Sequence, residues 1–146
     1  MILVDTNVLL YAADAEADKY HAAKVWLEDA LSRAETVIVP WLTAIGFLRI
    51  STNPRFYPRP TSISEALVFL RAVLAVPVVI NGNPDARHLS RVEELLDATG
   101  RGGNLVNDAH LAALALQYDA TVVSFDNDFS RFPGVRWERP PPAAED

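Results

Sequence analysis

Ile2-Leu3-Val4-Asp5-Thr6-Asn7-Val8-Leu9-Leu10-Tyr11-Ala12 is the stretch that decides the class of this chain. Three aliphatic residues in succession read as a short buried strand, and Asp5 ends it. Asp5, Thr6 and Asn7 offer capping side chains, so a short helix is expected from Val8 to Ala13. An acid is thereby delivered at the carboxyl end of the first strand. In an open α/β sheet, that end of the strands is where ligands bind.

Working outward, strands and helices alternate. The apolar spacing of Ala22, Val25, Trp26, Leu27, Ala30 and Leu31 predicts a helix over His21 to Arg33. Thr36 to Val39 reads as a second strand, and Pro40 suits the first turn of a helix from Trp41 to Ser51. Asn53 to Thr61 carries Pro54, Pro58 and Pro60 and is a loop. A helix is expected over Ile63 to Leu74, a strand over Pro77 to Ile80, a turn at Asn81-Gly82-Asn83-Pro84 and a helix over Asp85 to Ala98. Gly100 to Gly103 breaks the chain. Leu111, Leu114, Ala115 and Tyr118 mark one face of a helix over Leu105 to Tyr118. Thr121 to Ser124 is the last clear core strand, and Gly134 to Trp137 reads as a short edge strand. Strands separated by helices predict an α/β fold with a mostly parallel sheet. From Pro140 the chain is proline-rich and acidic, so 140–146 is expected to be a disordered tail after a single domain over 1–139.

The bulk numbers set limits. A length of 146 residues, half of them hydrophobic and 22% charged, fits one globular domain. The absence of cysteine excludes disulfides, zinc–thiolate sites, iron–sulfur clusters and cysteine nucleophiles. Asp5 interrupts the apolar start long before signal-peptide length. No stretch approaches the roughly 20 apolar residues needed to span a bilayer. The chain is expected in the cytoplasm, away from membranes. Its net charge of −6 argues against a general nucleic-acid binder. Acids gathered in one pocket and neutralised by divalent cations soften that objection.

The acids with the most suggestive placement are Asp5, Asp108, Asp126 and Asp128. Asp126 lies just past the last clear strand, and Asp128 follows it by two residues. Asp108 falls in the first turn of a helix, on the same side as Leu111, Ala112 and Ala115, and a carboxylate on an inward stripe needs a partner or an ion. Clustered carboxylates stay ionised only with cations. A set of oxygen ligands without cysteine or a histidine cluster points to Mg²⁺ or Mn²⁺. Metal-assisted phosphodiester hydrolysis is the chemistry that fits. Each acid also has a plainer role open to it. Asp5 suits a helix cap, Asp108 a helix dipole, and Asp126-Asn127-Asp128 a surface turn.

The same segments resemble a known family. The opening eleven residues quoted above look like the start of VapC-type PIN domains. Asn107-Asp108-Ala109-His110-Leu111-Ala112-Ala113-Leu114-Ala115 resembles their third motif. Val123-Ser124-Phe125-Asp126-Asn127-Asp128-Phe129, followed by Phe132-Pro133-Gly134-Val135, resembles their fourth. Gly46-Phe47-Leu48-Arg49 with Thr52-Asn53-Pro54-Arg55-Phe56 is similar to a subgroup common in actinobacteria. The resemblance spans Ile2 to about Trp137. It implies a three-layer α/β/α PIN fold, Mg²⁺- or Mn²⁺-dependent cleavage of RNA (transfer RNA among the substrates), a cognate antitoxin and a homodimer. It also implies that Asp5 and Asp108 are the two principal metal-binding acids, with Asp126 the fourth acid and Asp128 its neighbour.

One departure stands out. The family pattern places a glutamate three residues after a threonine in the helix that follows the second strand. Here Gly46 stands three residues after Thr43, and the variant position is Ala44. No Asp or Glu occurs between Glu35 and Glu65. The expected consequence is one ion held well and a second weakly, or an acid borrowed from elsewhere, or a low activity.

Other residues carry two readings each. Arg49, Arg55 and Arg59, with Phe56 and Tyr57, either grip RNA phosphates and stack bases or form a solvated loop. Asn7 and Ser124 are placed to tune the acids by hydrogen bonds, and Asn7, Arg49 and Arg55 are the substrate-contact candidates. His110 is a conceivable base but more commonly a helix-surface residue. The run from Ala66 to Leu74 is apolar over a wide arc, enough for core and a partner helix. Two competitors remain. A phosphatase with an aspartyl nucleophile wants Asp-x-Asp where this chain has Asp5-Thr6-Asn7. A PIN domain without the glutamate could bind RNA or protein without cutting.

Overall fold

The computed structural model describes residues 1–144. β1, Ile2–Val4, is the middle strand of a five-stranded sheet in the order β3-β2-β1-β4-β5. β2 is Val37–Ile38, β3 Val79–Ile80, β4 Thr121–Val123 and β5 Trp137–Glu138. Every pairing is parallel. Six α-helices connect them: α1 Thr6–Ala13, α2 Tyr20–Ser32, α3 Trp41–Ser51, α4 Ile63–Leu74, α5 His88–Thr99 and α6 Leu105–Tyr118. The chain winds outward from β1 to β2 and β3, then returns to the other side of β1 to lay down β4 and β5. The strand order therefore reverses between β1 and β4, the point at which open α/β sheets form a crevice.

The three residues of β1 divide the core. Successive side chains on a strand point to opposite faces. Ile2 and Val4 pack with Val8, Leu27, Phe47 and Leu70, contributed by α1 to α4. Leu3 packs on the other face with Ile38, Leu114, Val122 and Phe129, mostly against α5 and α6. The result is the α/β/α three-layer arrangement. A strand covered on both faces has no polar side to show, which is why β1 reads as an unbroken aliphatic run.

Register sets the site. Val4 pairs with Val123, so the next residue on each strand, Asp5 and Ser124, leaves the sheet side by side. The Asp5 N–H donates to the Val123 carbonyl at 3.1 Å. α3 is clamped against the same strand end: the Thr43 hydroxyl donates to the Val4 carbonyl at 2.8 Å, and the Thr6 hydroxyl donates to the Thr43 carbonyl at 3.3 Å.

Two expectations are corrected. The edge strand expected at Gly134 to Trp137 lies at Trp137–Glu138, because Gly134 takes a left-handed conformation with φ 75° and spends its residues on a turn. The helix expected from Asp85 begins at His88. Asp85 instead accepts the Arg87 N–H at 2.9 Å, a local turn that competes with helix. After β4 the chain forms a short 3-10 helix, Asn127–Arg131, which no periodicity announced. The tail expected over 140–146 falls partly outside the described residues; within them, Pro140 is buried.

Phe47 is 1% exposed and its ring lies 5.0 Å from that of Phe69, joining α3 to α4. Phe47→Ala is expected to lower the unfolding free energy by about 3–5 kcal/mol in urea titration. A loss below about 1 kcal/mol would show that this contact does not hold the layer together.

Candidate active site

A hollow of about 490 Å³ opens at the carboxyl ends of β1 and β4, and Asp5, Asp108, Asp126 and Asp128 all line it. One carboxylate oxygen from each of Asp108, Asp126 and Asp128 lies within 4.8 Å of the other two. Asp5 lies outside that tight trio but within the same hollow. Residues more than 100 positions apart in sequence are thus brought to one face by the β1–β4 pairing.

Each acid is fixed by a different device. Asp5 follows the central strand and is 8% exposed. Its Oδ1 accepts the Thr6 N–H at 2.7 Å, so it does cap α1. Its Oδ2 accepts the Ser124 hydroxyl at 2.7 Å and the Asn7 amide at 3.3 Å. Asp5 thus caps α1 through one oxygen and is tied to β4 and Asn7 through the other, while still lining the hollow. Asp126 accepts the Asp128 N–H at 2.9 Å, the Asx turn that begins the 3-10 helix. That tight turn aims both carboxylates the same way. Asp108 comes from the first turn of α6, half-buried beside Leu111.

The electrostatics follow from this crowding. Burial, then the negative charges of Asp5, Asp126 and Asp128, push the Asp108 pKa up to about 7. Burial also raises Asp5, while its bonds from Ser124 and Thr6 pull back in favour of the charged form. Arg131 lies near Asp128, with Nε 3.4 Å from Oδ1. That pair is largely exposed and screens the cluster weakly.

The chain matches the PIN domain family over residues 2–135. It belongs to the PIN-domain family. Within it, the VapC ribonucleases are the relatives. Ribonuclease VapC37 of Mycobacterium tuberculosis is 43% identical, covering 97% of this chain and 98% of its own. Ribonuclease VapC31 of the same species is 39% identical, covering 97% and 99%. Among solved structures, VapC20 of M. tuberculosis, a sarcin–ricin loop cleaving toxin, superposes with a TM-score of 0.68 at 21% identity, covering 93% of this chain and 99% of its own. The VapBC2 complex of Rickettsia felis, bound to promoter DNA, gives 0.67 at 23% identity, covering 95% and 98%. At those identities the solved structures bear on the fold alone.

The other sequence candidates separate in this PIN domain. Arg49 lines the hollow. Arg55 does not; it sits exposed on the loop after α3, where its N–H donates to Asn53. Asn7 has spent its side chain: its amide donates to Asp5 and Ser124, and its Oδ1 accepts the Phe125 N–H at 3.1 Å. These bonds tie it to Asp5 and to the start of the acidic turn. His110 is not part of the hollow. Its Nδ1 lies 2.7 Å from Nε2 of His88, between α6 and α5. Asn104 and Asn107 line the hollow and were not singled out in sequence; Asn107 stands inside the quoted motif, but no spacing distinguished it.

Two braces also escaped the sequence. The Trp137 indole N–H donates to the Ser124 carbonyl at 3.0 Å, and Arg139 donates to the Phe125 carbonyl at 2.8 Å and to Asn127. Both hold the turn that carries Asp126. A larger cavity of about 820 Å³ lies between α2 and the C-terminal segment, lined by Lys19, Val25, Phe125 and Pro140. It lacks the acid cluster.

The donor set fits a divalent metal. Three carboxylates converge there, and burial together with the neighbouring negative charges disfavours the ionised form of Asp108, which a divalent cation would reverse. In metal-free protein, Asp108 holds a proton in the folded chain and loses it in the unfolded chain between about pH 3.9 and about 7. The folded state binds the extra proton there, so stability falls as pH rises through that window. Melting in EDTA is expected to show that fall, and Asp108→Asn is expected to flatten it. A wild-type profile that rises from pH 4 to 7, with Asp108→Asn unchanged, contradicts the placement of this acid.

Proposed function

We propose that this VapC-family PIN domain is a Mg²⁺- or Mn²⁺-dependent endoribonuclease of the cytoplasm, the toxin of a toxin–antitoxin pair. The observation that carries it is the convergence of Asp108, Asp126 and Asp128 within 4.8 Å in the hollow that Asp5 also lines. Those three acids would hold the ion. When bound, the ion lowers the pKa of water and neutralises charge on a phosphodiester.

The protein's own groups then have defined tasks. Asp5, fixed by Ser124 and Asn7, directs the attacking water. Asp126 and Asp128 face the same space from one turn. In the hydrolysis, the water oxygen bonds to phosphorus, one P–O ester bond breaks, and a proton passes to the departing oxygen. Arg49 at the hollow and Arg55 on the adjoining loop offer cations to RNA phosphates. RNA is the substrate class, transfer RNA among the candidates, because the curated relatives are ribonucleases. A cognate antitoxin is the proposed partner, since VapBC complexes share the fold. A homodimer is the proposed assembly.

Gly46, where a family glutamate would stand, favours a second reading in which the domain binds RNA without cutting it. A panel of transfer, ribosomal and messenger RNAs incubated with Mg²⁺ or Mn²⁺ separates the two. Cleavage is expected in wild type, with Asp108→Asn slower by on the order of 10²–10³-fold. RNA retained but intact in both proteins favours the binding module and sinks the nuclease.

Ser124→Ala tests the support beneath the acids. Ser124 gives its hydroxyl hydrogen to Asp5 and accepts from Asn7 and from the Asp126 N–H. Its loss is expected to weaken Mn²⁺ binding by about 10–100-fold, read by calorimetry. Unchanged Mn²⁺ affinity would remove Ser124 from this role.

A further inference from the structure

The hollow has a cation but lacks a carboxylate from α3. Gly46 faces it, and a Cβ built there would lie 2.8 Å from the Thr6 Oγ1 and 3.3 Å from its Cγ2. Thr6 cannot easily withdraw, because its hydroxyl is bonded to the Thr43 carbonyl. A side chain at position 46 would therefore need Thr6 to move. Ala44 offers no substitute: it is 1% exposed, buried among the core of the α1–α4 layer.

Arg49 stands three residues after Gly46, on the same face of α3, and lines the same hollow. Among the described residues it forms no ion pair with any acid. A guanidinium on the wall of the hollow that the four aspartates line, paired with none of them, is free to meet an anion that arrives from solvent. It stays charged at any working pH, and its planar fork can take two phosphate oxygens at once.

Resting on the nuclease assignment above, we propose that Arg49 takes the electrostatic place of a second metal ion. Asp108, Asp126 and Asp128 would hold one divalent cation. Arg49 supplies the second positive charge directly to the non-bridging oxygens of the scissile phosphate, where negative charge grows as water adds. The side that another PIN domain could furnish with a glutamate and its ion is furnished here by a covalently attached cation. Arg49 is then a catalytic residue, and Gly46 and Thr6 together keep the second ion out.

The test uses the full chain, Mn²⁺ alone as the metal probe, and an RNA cut in the panel described above. Electron paramagnetic resonance titration is expected to give one bound Mn²⁺ per chain in wild type and in Arg49→Gln. Arg49→Gln is expected to reduce kcat by on the order of 10²-fold, with KM changing less than kcat. Arg49→Lys recovers part of the loss, because charge returns without the fork. The double variant Thr6→Ala with Gly46→Glu is expected to bind a second Mn²⁺, and Arg49→Gln in that background costs less than about tenfold. Two Mn²⁺ bound by wild type with similar affinity overturns the proposal, as does Arg49→Gln turning over within about threefold of wild type. If the double variant fails a thermal-melt check, the exposed Arg49 variants decide alone. If wild type binds no Mn²⁺ or cuts no RNA, the nuclease assignment itself fails and this proposal with it. That outcome is distinct from one-ion cleavage that ignores Arg49.

Discussion

Asp5 ends the central strand in a place where water barely reaches, and burial there works against its charge. Its hydrogen bonds from Ser124, Thr6 and Asn7 oppose that cost. The Ser124 hydroxyl is the shared node. It donates to Asp5 from the neighbouring strand, and it accepts both the Asn7 amide and the Asp126 N–H. Through one oxygen, β1, α1, β4 and the acidic turn are held in a single geometry. Networks of this kind specify a unique arrangement when every member is satisfied, as these members are. Shifting β1 against β4 by one residue would turn every side chain of the strand to the other face. Asp5 would then leave the hollow, and the metal-binding proposal would lose its floor.

The two layers serve that node unequally. α1 and α3 lie against the site and pin the strand end through Thr6 and Thr43. α6, from the opposite layer, presents Asp108 at its first turn. The carboxylates thus come from the end of the central strand, from a helix of the opposite layer and from the turn after β4, meeting at the carboxyl end of the sheet. Rigid elements hold Asp5 and Asp108, while Asp126 and Asp128 depend on a five-residue 3-10 helix and on the braces from Trp137 and Arg139. Rigid support of this kind is what a site needs to keep ligand oxygens in place for an ion.

Much of this was legible in the chain of letters. The helices Trp41–Ser51, Ile63–Leu74 and Leu105–Tyr118 match their apolar periods end to end. The strand Ile2–Val4 was readable because a doubly covered strand is aliphatic throughout. The four aspartates were readable because each follows a strand or begins a helix. What was hidden is what tertiary packing decides. Asn7 read both as a support for the acids and as a substrate contact, and spacing did not show that its side chain would bond Asp5, Ser124 and the Phe125 amide at once. Arg55 shared a basic stretch with Arg49, yet only Arg49 reaches the hollow. Nothing in one dimension says that Trp137 and Arg139 would reach back to the turn after β4. The histidines at 88 and 110 meet only because α5 and α6 pack side by side.

The dependence of the acidic turn on Arg139 has a consequence for the order in which the molecule comes into being. Asp5 is made before the other acids; Asp126 and Asp128 follow more than a hundred residues later, and the arginine that ties their turn comes later still. Domains fold as units during synthesis. A nascent chain with only β1 to β3 and α1 to α5 has one of the four carboxylates and no place for an ion. The acid hollow therefore assembles late relative to the sheet that carries it: α6, β4 and the turn after β4 must all be made before the carboxylates can meet.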